Sequence, residues 1–311
     1  MTVMIRLMLF PLVRFGTSTW TYEGWQGLVY KKRYAPRRFK QDCLAEYARY
    51  EFKGLPLFTT VGFDFTFYGP PKAEQLAHYA AQLPEGFEAC SKVWEEITIP
   101  KFPSHPRYGN NAGRVNPHFL DADYFNEQVL PPYAQAFAEH TGPFMFEFQR
   151  AGIDPDTFLG KLDHFLKRLQ TDYRYAVEVR DPALLIPEYR AILQTYGVAH
   201  IYNHWTHMPP LADQHHRLNE TFTAPFVVMR LLTPLGTKYA DAVKAFEPYT
   251  KIVRPQPEMR RDTVALIREG LRQARNLYVL VNNRTEGSAP LTIQAIVDQM
   301  AERRNAEPAR D

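Results

Sequence analysis

Charged residues stand in this 311-residue chain where short apolar strands should end. Lys92 lies near the end of Phe87–Val93, and Glu147 and Gln149 at the end of Phe144–Phe148. Glu178 lies inside Tyr175–Val179, with Arg180 just beyond it, and Arg230 follows Phe226–Met229. Side chains alternate across a strand with a two-residue period. Glu147 therefore shares a face with Gln149, and Glu178 shares one with Ala176 and Arg180. A charge inside a buried strand is costly unless it is paired. On that ground Glu178 is the strongest candidate for a general acid or base, with Glu147 as a second carboxylate. Lys92 could carry a proton or, with Arg180 and Arg230, hold an anion. Asn282, after Leu277–Val281, could orient a hydroxyl or an oxyanion. Trp20 and Trp25, beyond the first strand Leu12–Thr17, suit stacking on a planar or sugar-like ligand.

Each assignment has a plainer alternative. Glu178 could form a structural ion pair with Arg180 or Lys92. Lys92 could be solvated, the tryptophans could plug a cavity, and Asn282-Asn283 could be turn chemistry. His204 and His207 could bind a divalent ion near the carboxylates, with His215 and His216 further on. The run has no H-E-x-x-H spacing, and no metal site is assigned. P-loop, kinase and G-x-S-x-G signatures are absent.

The elements that must position these residues alternate. Two further short strands are expected, Thr59–Phe65 and Ala199–Tyr202, which makes eight. Helical stretches are expected at Gln41–Tyr50, Lys72–Gln82, Asn126–His140, Pro155–Gln170, Pro187–Tyr196, Met259–Arg275 and Leu291–Ala301. Pro155–Gln170 carries Phe158, Leu162, Phe165, Leu166 and Leu169 on one stripe. Pro100–Asp123 and Trp205–Thr223 read as long loops. Eight β/α pairs in a chain of this length predict one α/β domain over 1–311, a (β/α)₈ TIM barrel. An open doubly wound sheet is the competing architecture, but no G-x-G-x-x-G follows the first strand. In a barrel the charged residues would converge at the carboxyl ends of the strands.

Composition narrows the class further. Two cysteines, Cys43 and Cys90, exclude a disulfide scaffold, and a net charge of +3 does not diagnose nucleic-acid binding. No apolar run reaches membrane-spanning length. Met1–Val13 is broken by Arg6 and Pro11 and lacks a cleavage site, so it reads as a short leader, and a cytoplasmic location is expected.

Several segments, in order, resemble the YecE-like family, also called domain of unknown function 72. Phe15-Gly16-Thr17-Ser18-Thr19-Trp20-Thr21-Tyr22 with Trp25 and Tyr30 is similar to its G-T-S-G-W-S-Y signature. Thr66-Phe67-Tyr68, Gly86 to Lys92, Gly142 to Gln149, Val177-Glu178-Val179-Arg180, Tyr239 and Val281-Asn282-Asn283 resemble later family segments, so the likeness covers about 15–300. It implies a single barrel and, by position, shared polar residues at Trp25, Lys92, Glu178, Arg180 and Asn282. It supplies no established reaction and no cofactor. The chain departs from the pattern at Thr19, at Arg150, at Leu232, and at Gly62 where a glutamate is usual. Asp64 or Glu147 could compensate for that glutamate. The leading expectation is an enzyme whose pocket takes a small anionic ligand bearing a sugar or phosphate. The alternatives are a metal-assisted phosphodiesterase acting on nucleic acid, and a non-catalytic ligand- or partner-binding module.

Overall fold

The computed structural model describes residues 12–150 and 154–302. Most of the Met1–Val13 leader lies outside them. Eight parallel strands build the barrel: β1 (Val13–Thr17), β2 (Thr60–Phe63), β3 (Glu88–Lys92), β4 (Thr141–Phe148), β5 (Tyr175–Val179), β6 (Ala199–His204), β7 (Phe226–Leu231) and β8 (Asn276–Val281). Each is hydrogen-bonded to the next from β2 to β8, and β8 pairs with β1. Nearly every strand residue is buried, as expected of a parallel sheet covered by helices.

The remaining seam, β1 against β2, closes by other means. Thr59 N donates to Phe15 O at 2.9 Å. The Tyr47 hydroxyl accepts from Thr17 N at 2.9 Å and donates to Thr60 O at 3.2 Å. One buried phenol thus satisfies a donor on one strand and an acceptor on the other. Gly16 makes this approach possible, since a Cβ there would lie 2.1 Å from Thr60 O.

The helices differ from the sequence expectation in instructive ways. Gln41–Tyr50 is two short helices, Pro36–Asp42 and Leu44–Tyr47. Asn126–His140 is broken: one helix ends at Gln128 and another runs Leu130–Ala136, followed by a 3₁₀ turn. Pro131 and Pro132 lack the N–H groups that a continuous helix needs, but they fit a first turn. The Trp205–Thr223 stretch contains the helix Leu211–Arg217, and Pro100–Asp123 contains the 3₁₀ segment Pro106–Asn111. A helix at Tyr239–Phe246 and a hairpin of Glu51–Phe52 with Leu55–Pro56 were not anticipated. No described helix is long and apolar enough to cross a membrane.

Candidate functional site at the carboxyl ends of the strands

The middle of the barrel is apolar. Cys90, Met145, Ala176, Ile201, Val228 and Leu280 pack there in one cluster. Two residues further along the same strands come Lys92, Glu147, Glu178, Asn203, Arg230 and Asn282. The two-residue period keeps them on the barrel-facing side. The charged layer is therefore the next storey of the interior, at the end where barrel sites are built.

Arg230 is its hub. Its Nη1 donates to Glu147 Oε2 at 2.9 Å and to Glu178 Oε2, and its Nη2 donates to Asp64 Oδ1 at 3.2 Å. Arg180 bridges the same glutamates, with Nη2 to Glu147 Oε2 at 2.7 Å and Nε to Glu178 Oε1 at 2.9 Å. Lys92 Nζ lies 2.9 Å from Glu147 Oε2. Gln149 Nε2 donates to Glu147 Oε1 at 2.6 Å. The network sets three cations against three carboxylates and is neutral as a whole. Such charge-assisted bonds are short and directional.

Two cations also lie on aromatic rings. Lys92 Nζ is 3.6 Å from the centre of the Phe67 ring, and the Arg180 guanidinium is 4.1 Å from that of Trp205. Both rings are half-buried. A ring face attracts a cation most strongly where water is excluded.

Burial alone would raise the Glu147 carboxyl. Arg180, Lys92 and Arg230 outweigh it and hold the group well below the usual carboxylate range. Burial likewise works against the Arg230 charge, but Glu178, Asp64 and Glu147 overcome it and push its pKa up. Glu147 is thus a fixed anion, which removes it as a proton donor near neutral pH. Any acid–base role of Glu147 starts from a carboxylate acting as base.

The structure brings together Lys92, Glu147, Glu178, Arg180, Arg230, Asp64 and Gln149. Asp64 arrives on the 3₁₀ turn Asp64–Tyr68 that follows β2. Gly62 precedes it on the same face, and a Cβ there would lie 2.9 Å from Ser18 O. A glutamate at that position would therefore have to displace the backbone at Ser18, just beyond β1.

Other candidates are placed elsewhere. Trp20 is buried against Phe63 and Tyr79, and Trp25 against Tyr22 and Tyr30. Neither presents a ring face for a ligand, so the stacking reading is corrected to core packing. Asn282 Oδ1 accepts from Arg284 N at 3.0 Å and caps the turn Asn283–Thr285, which is turn chemistry. His204 faces the outside of β6, on the opposite side of the sheet from Glu147 and Glu178, and His207 is exposed. Among the described residues, no group of three or more His, Cys, Asp or Glu is placed to hold a metal ion.

Three residues that the sequence reading passed over belong here: Asn203, Trp205 and Phe67. Asn203 has the parity of Ile201, but the expected strand stopped at Tyr202. Extending it by two residues would have exposed the pattern.

The fold and this layer define the class: a (β/α)₈ barrel with a buried, charge-paired cluster at its carboxyl-end mouth. The chain belongs to the DUF72 family, proteins of unknown function, whose profile matches residues 14–311. It resembles a solved DUF72 family protein from Thermotoga maritima MSB8, with 18% identity over 94% of this chain and 99% of that one and a TM-score of 0.64. It also resembles one from Enterococcus faecalis V583, with 18% identity over 92% of this chain and 96% of that one and a TM-score of 0.62. At such identity the likeness speaks for the fold. No curated protein matches the chain.

Proposed function

We propose that the carboxyl-end mouth is a binding site for a small ligand with an anionic group, and that Glu178 serves there as a base. The observation that carries this reading is the buried six-membered charge network around Arg230. As a stabilising device it is poor, because apolar residues of similar volume often do as well. As preorganised electrostatics it is well suited to a ligand. The partly exposed edges of Lys92 and Arg180 would meet the anion. Phe67 and Trp205, which already fix those two cations, would frame it.

The test is a thermal-shift and calorimetric screen of phosphate, sugar phosphates and small carboxylates. Wild type should show saturable stabilisation, and Lys92→Met and Arg180→Met should each weaken it by about tenfold or more. Binding that survives both substitutions, or no binding by any anion, overturns the reading.

A further inference from the structure

Two buried polar atoms in the charged layer have no partner among the described residues, and they are complementary. Asn203 and Arg230 are register partners on β6 and β7. Arg230 Nε, a donor, and Asn203 Oδ1, an acceptor, are both buried and unbonded among the described residues. The Asn203 amide orientation is fixed, because Nδ2 donates to Val179 O at 3.0 Å. A carbonyl can only accept, so the oxygen must be the free end. The backbone at Asn203 is held as well. Its N–H donates to Gln214 Oε1 at 3.2 Å, and its carbonyl accepts from Gln214 Nε2 at 2.7 Å. Gln214 is itself fully buried on the helix Leu211–Arg217, so this segment is rigidly placed.

A buried donor and a buried acceptor left unmatched each carry an uncompensated desolvation penalty. The neighbouring guanidinium groups are committed: Arg230 Nη1 and Nη2 to carboxylates, and Arg180 Nε and Nη2 to Glu178 and Glu147. A group that met both Asn203 Oδ1 and Arg230 Nε would have to donate one hydrogen bond and accept another. A hydroxyl does both, whereas phosphate and carboxylate oxygens only accept.

We infer that Asn203 and Arg230 form a subsite for a ligand hydroxyl, so that the ligand of this mouth is a polyhydroxy compound, a sugar or sugar acid derivative. The inference rests on the proposed mouth site and names its ligand class. Asn203 is the selecting residue, because its oxygen is what separates a hydroxyl from a bare anion. Two residues on, Trp205 carries Arg180 on its ring, which ties this subsite to the proposed mouth site.

The experiment compares inorganic phosphate, a sugar phosphate, the same compound with single hydroxyls removed, and the neutral sugar, by calorimetry on wild type and Asn203→Leu. The expected result is that one deoxy compound binds at least tenfold more weakly than its parent, and that Asn203→Leu abolishes this difference while phosphate binding persists. The deoxy series on wild type needs no variant, so an Asn203→Leu chain that fails to fold does not block the test. Equal affinity of parent and all deoxy compounds means that a trapped water only fills the gap, which overturns the inference and leaves the anion site standing. Binding of the neutral sugar with the same hydroxyl dependence, without phosphate binding, supports the subsite and sinks the anion reading. No binding by any compound overturns both.

Discussion

The barrel carries charge at both ends, and the ends are built differently. At the amino-end floor, Glu88 on β3 gathers Arg14, Arg174 and Tyr278. Arg14 Nε lies 3.3 Å and Arg174 Nη2 3.0 Å from its carboxylate oxygens, and the Tyr278 hydroxyl donates to it. Arg174 Nη1 in turn donates to that hydroxyl at 2.5 Å. Here the side chains of Arg14, Glu88 and Arg174 keep 18%, 16% and 35% of their surface in water. At the mouth, Arg230, Glu147 and Glu178 keep 2%, 1% and 0%. The apolar storey through Cys90, Met145, Ile201 and Val228 separates the two. A half-wet cluster stabilises by closing the end of a barrel, at modest gain because water screens it. A dry cluster with two adjacent glutamates is expensive to assemble, and its parts depend on one another. The same residue types thus make a plug at one end and a preorganised site at the other.

The largest contrast should come from removing one arginine at each end. Arg230→Met leaves Glu147 and Glu178 buried without their hub and should cost about 3–5 kcal/mol in urea unfolding. Arg14→Met should cost about 1 kcal/mol or less, because the pair is partly solvated. Similar losses at the two ends would erase the distinction.

Acid should destabilise the molecule in two waves, and neither end starts the first. His200 and His204, on the outer face of β6, are depressed by burial to about 3 and about 4. Unfolded histidine titrates near about 6.5. Below that value the unfolded chain takes up protons that the folded chain refuses. The stability is therefore complete above about pH 6.5 and is lost as pH falls toward the folded values, on the order of 3 kcal/mol for His204 alone. At Glu88, burial is outweighed by Tyr278 and Arg174, so its pKa is lowered, as is that of Glu147. Their contribution is present above about pH 4.3 and is lost only below it. Urea midpoints measured from pH 8 to 4 should begin to fall near 6.5, and His204→Leu should flatten that first limb. A midpoint that stays level down to pH 5 would falsify the assignment of neutral buried histidines.

A smaller effect isolates the floor. Tyr278→Phe removes a hydroxyl that donates to Glu88 and accepts from Arg174. It should lower stability by about 1 kcal/mol. Ligand affinity at the mouth should stay the same, since the apolar storey intervenes. A change in ligand affinity would mean that the two ends are coupled.

The barrel was legible because buried parallel strands are short, mostly apolar runs, and Tyr175–Val179 is buried from end to end and apolar but for Glu178. Glu147, Glu178 and Arg230 stood out because a charge in such a run demands a partner, although the sequence does not say which. The tryptophans misled because a large ring suits a core and a site equally well, and only Phe63, Tyr79 and Tyr30 decide between them. Asn203 and Trp205 were hidden by a strand end placed two residues early, at the point where polar residues begin and apolar runs no longer guide the eye. The helix Leu211–Arg217 was hidden by its polar composition. Its inward side rests on Leu211 and Gln214, and the buried glutamine holds the β6 backbone rather than filling an apolar stripe.

The finest test of the contrast is aromatic. Arg180 lies 4.1 Å from the Trp205 ring centre at the mouth, whereas Arg14 lies 5.8 Å from the Tyr278 ring at the floor. A cation–π contact is worth about 0.5–1 kcal/mol when exposed and about 2 when desolvated, and Trp205 also packs against the core, so Trp205→Ala should lower stability by about 1–2 kcal/mol. Its effect on ligand binding should be larger than its effect on stability. The ring narrows the range of orientations open to Arg180, and a guanidinium that must be ordered at the moment of binding adds that entropic cost to each binding event. Calorimetry on Trp205→Ala should show the lost affinity mainly as a less favourable entropy. If affinity is unchanged while stability drops, Trp205 is packing for the mouth as Tyr278 is for the floor, and the site ends at Arg180.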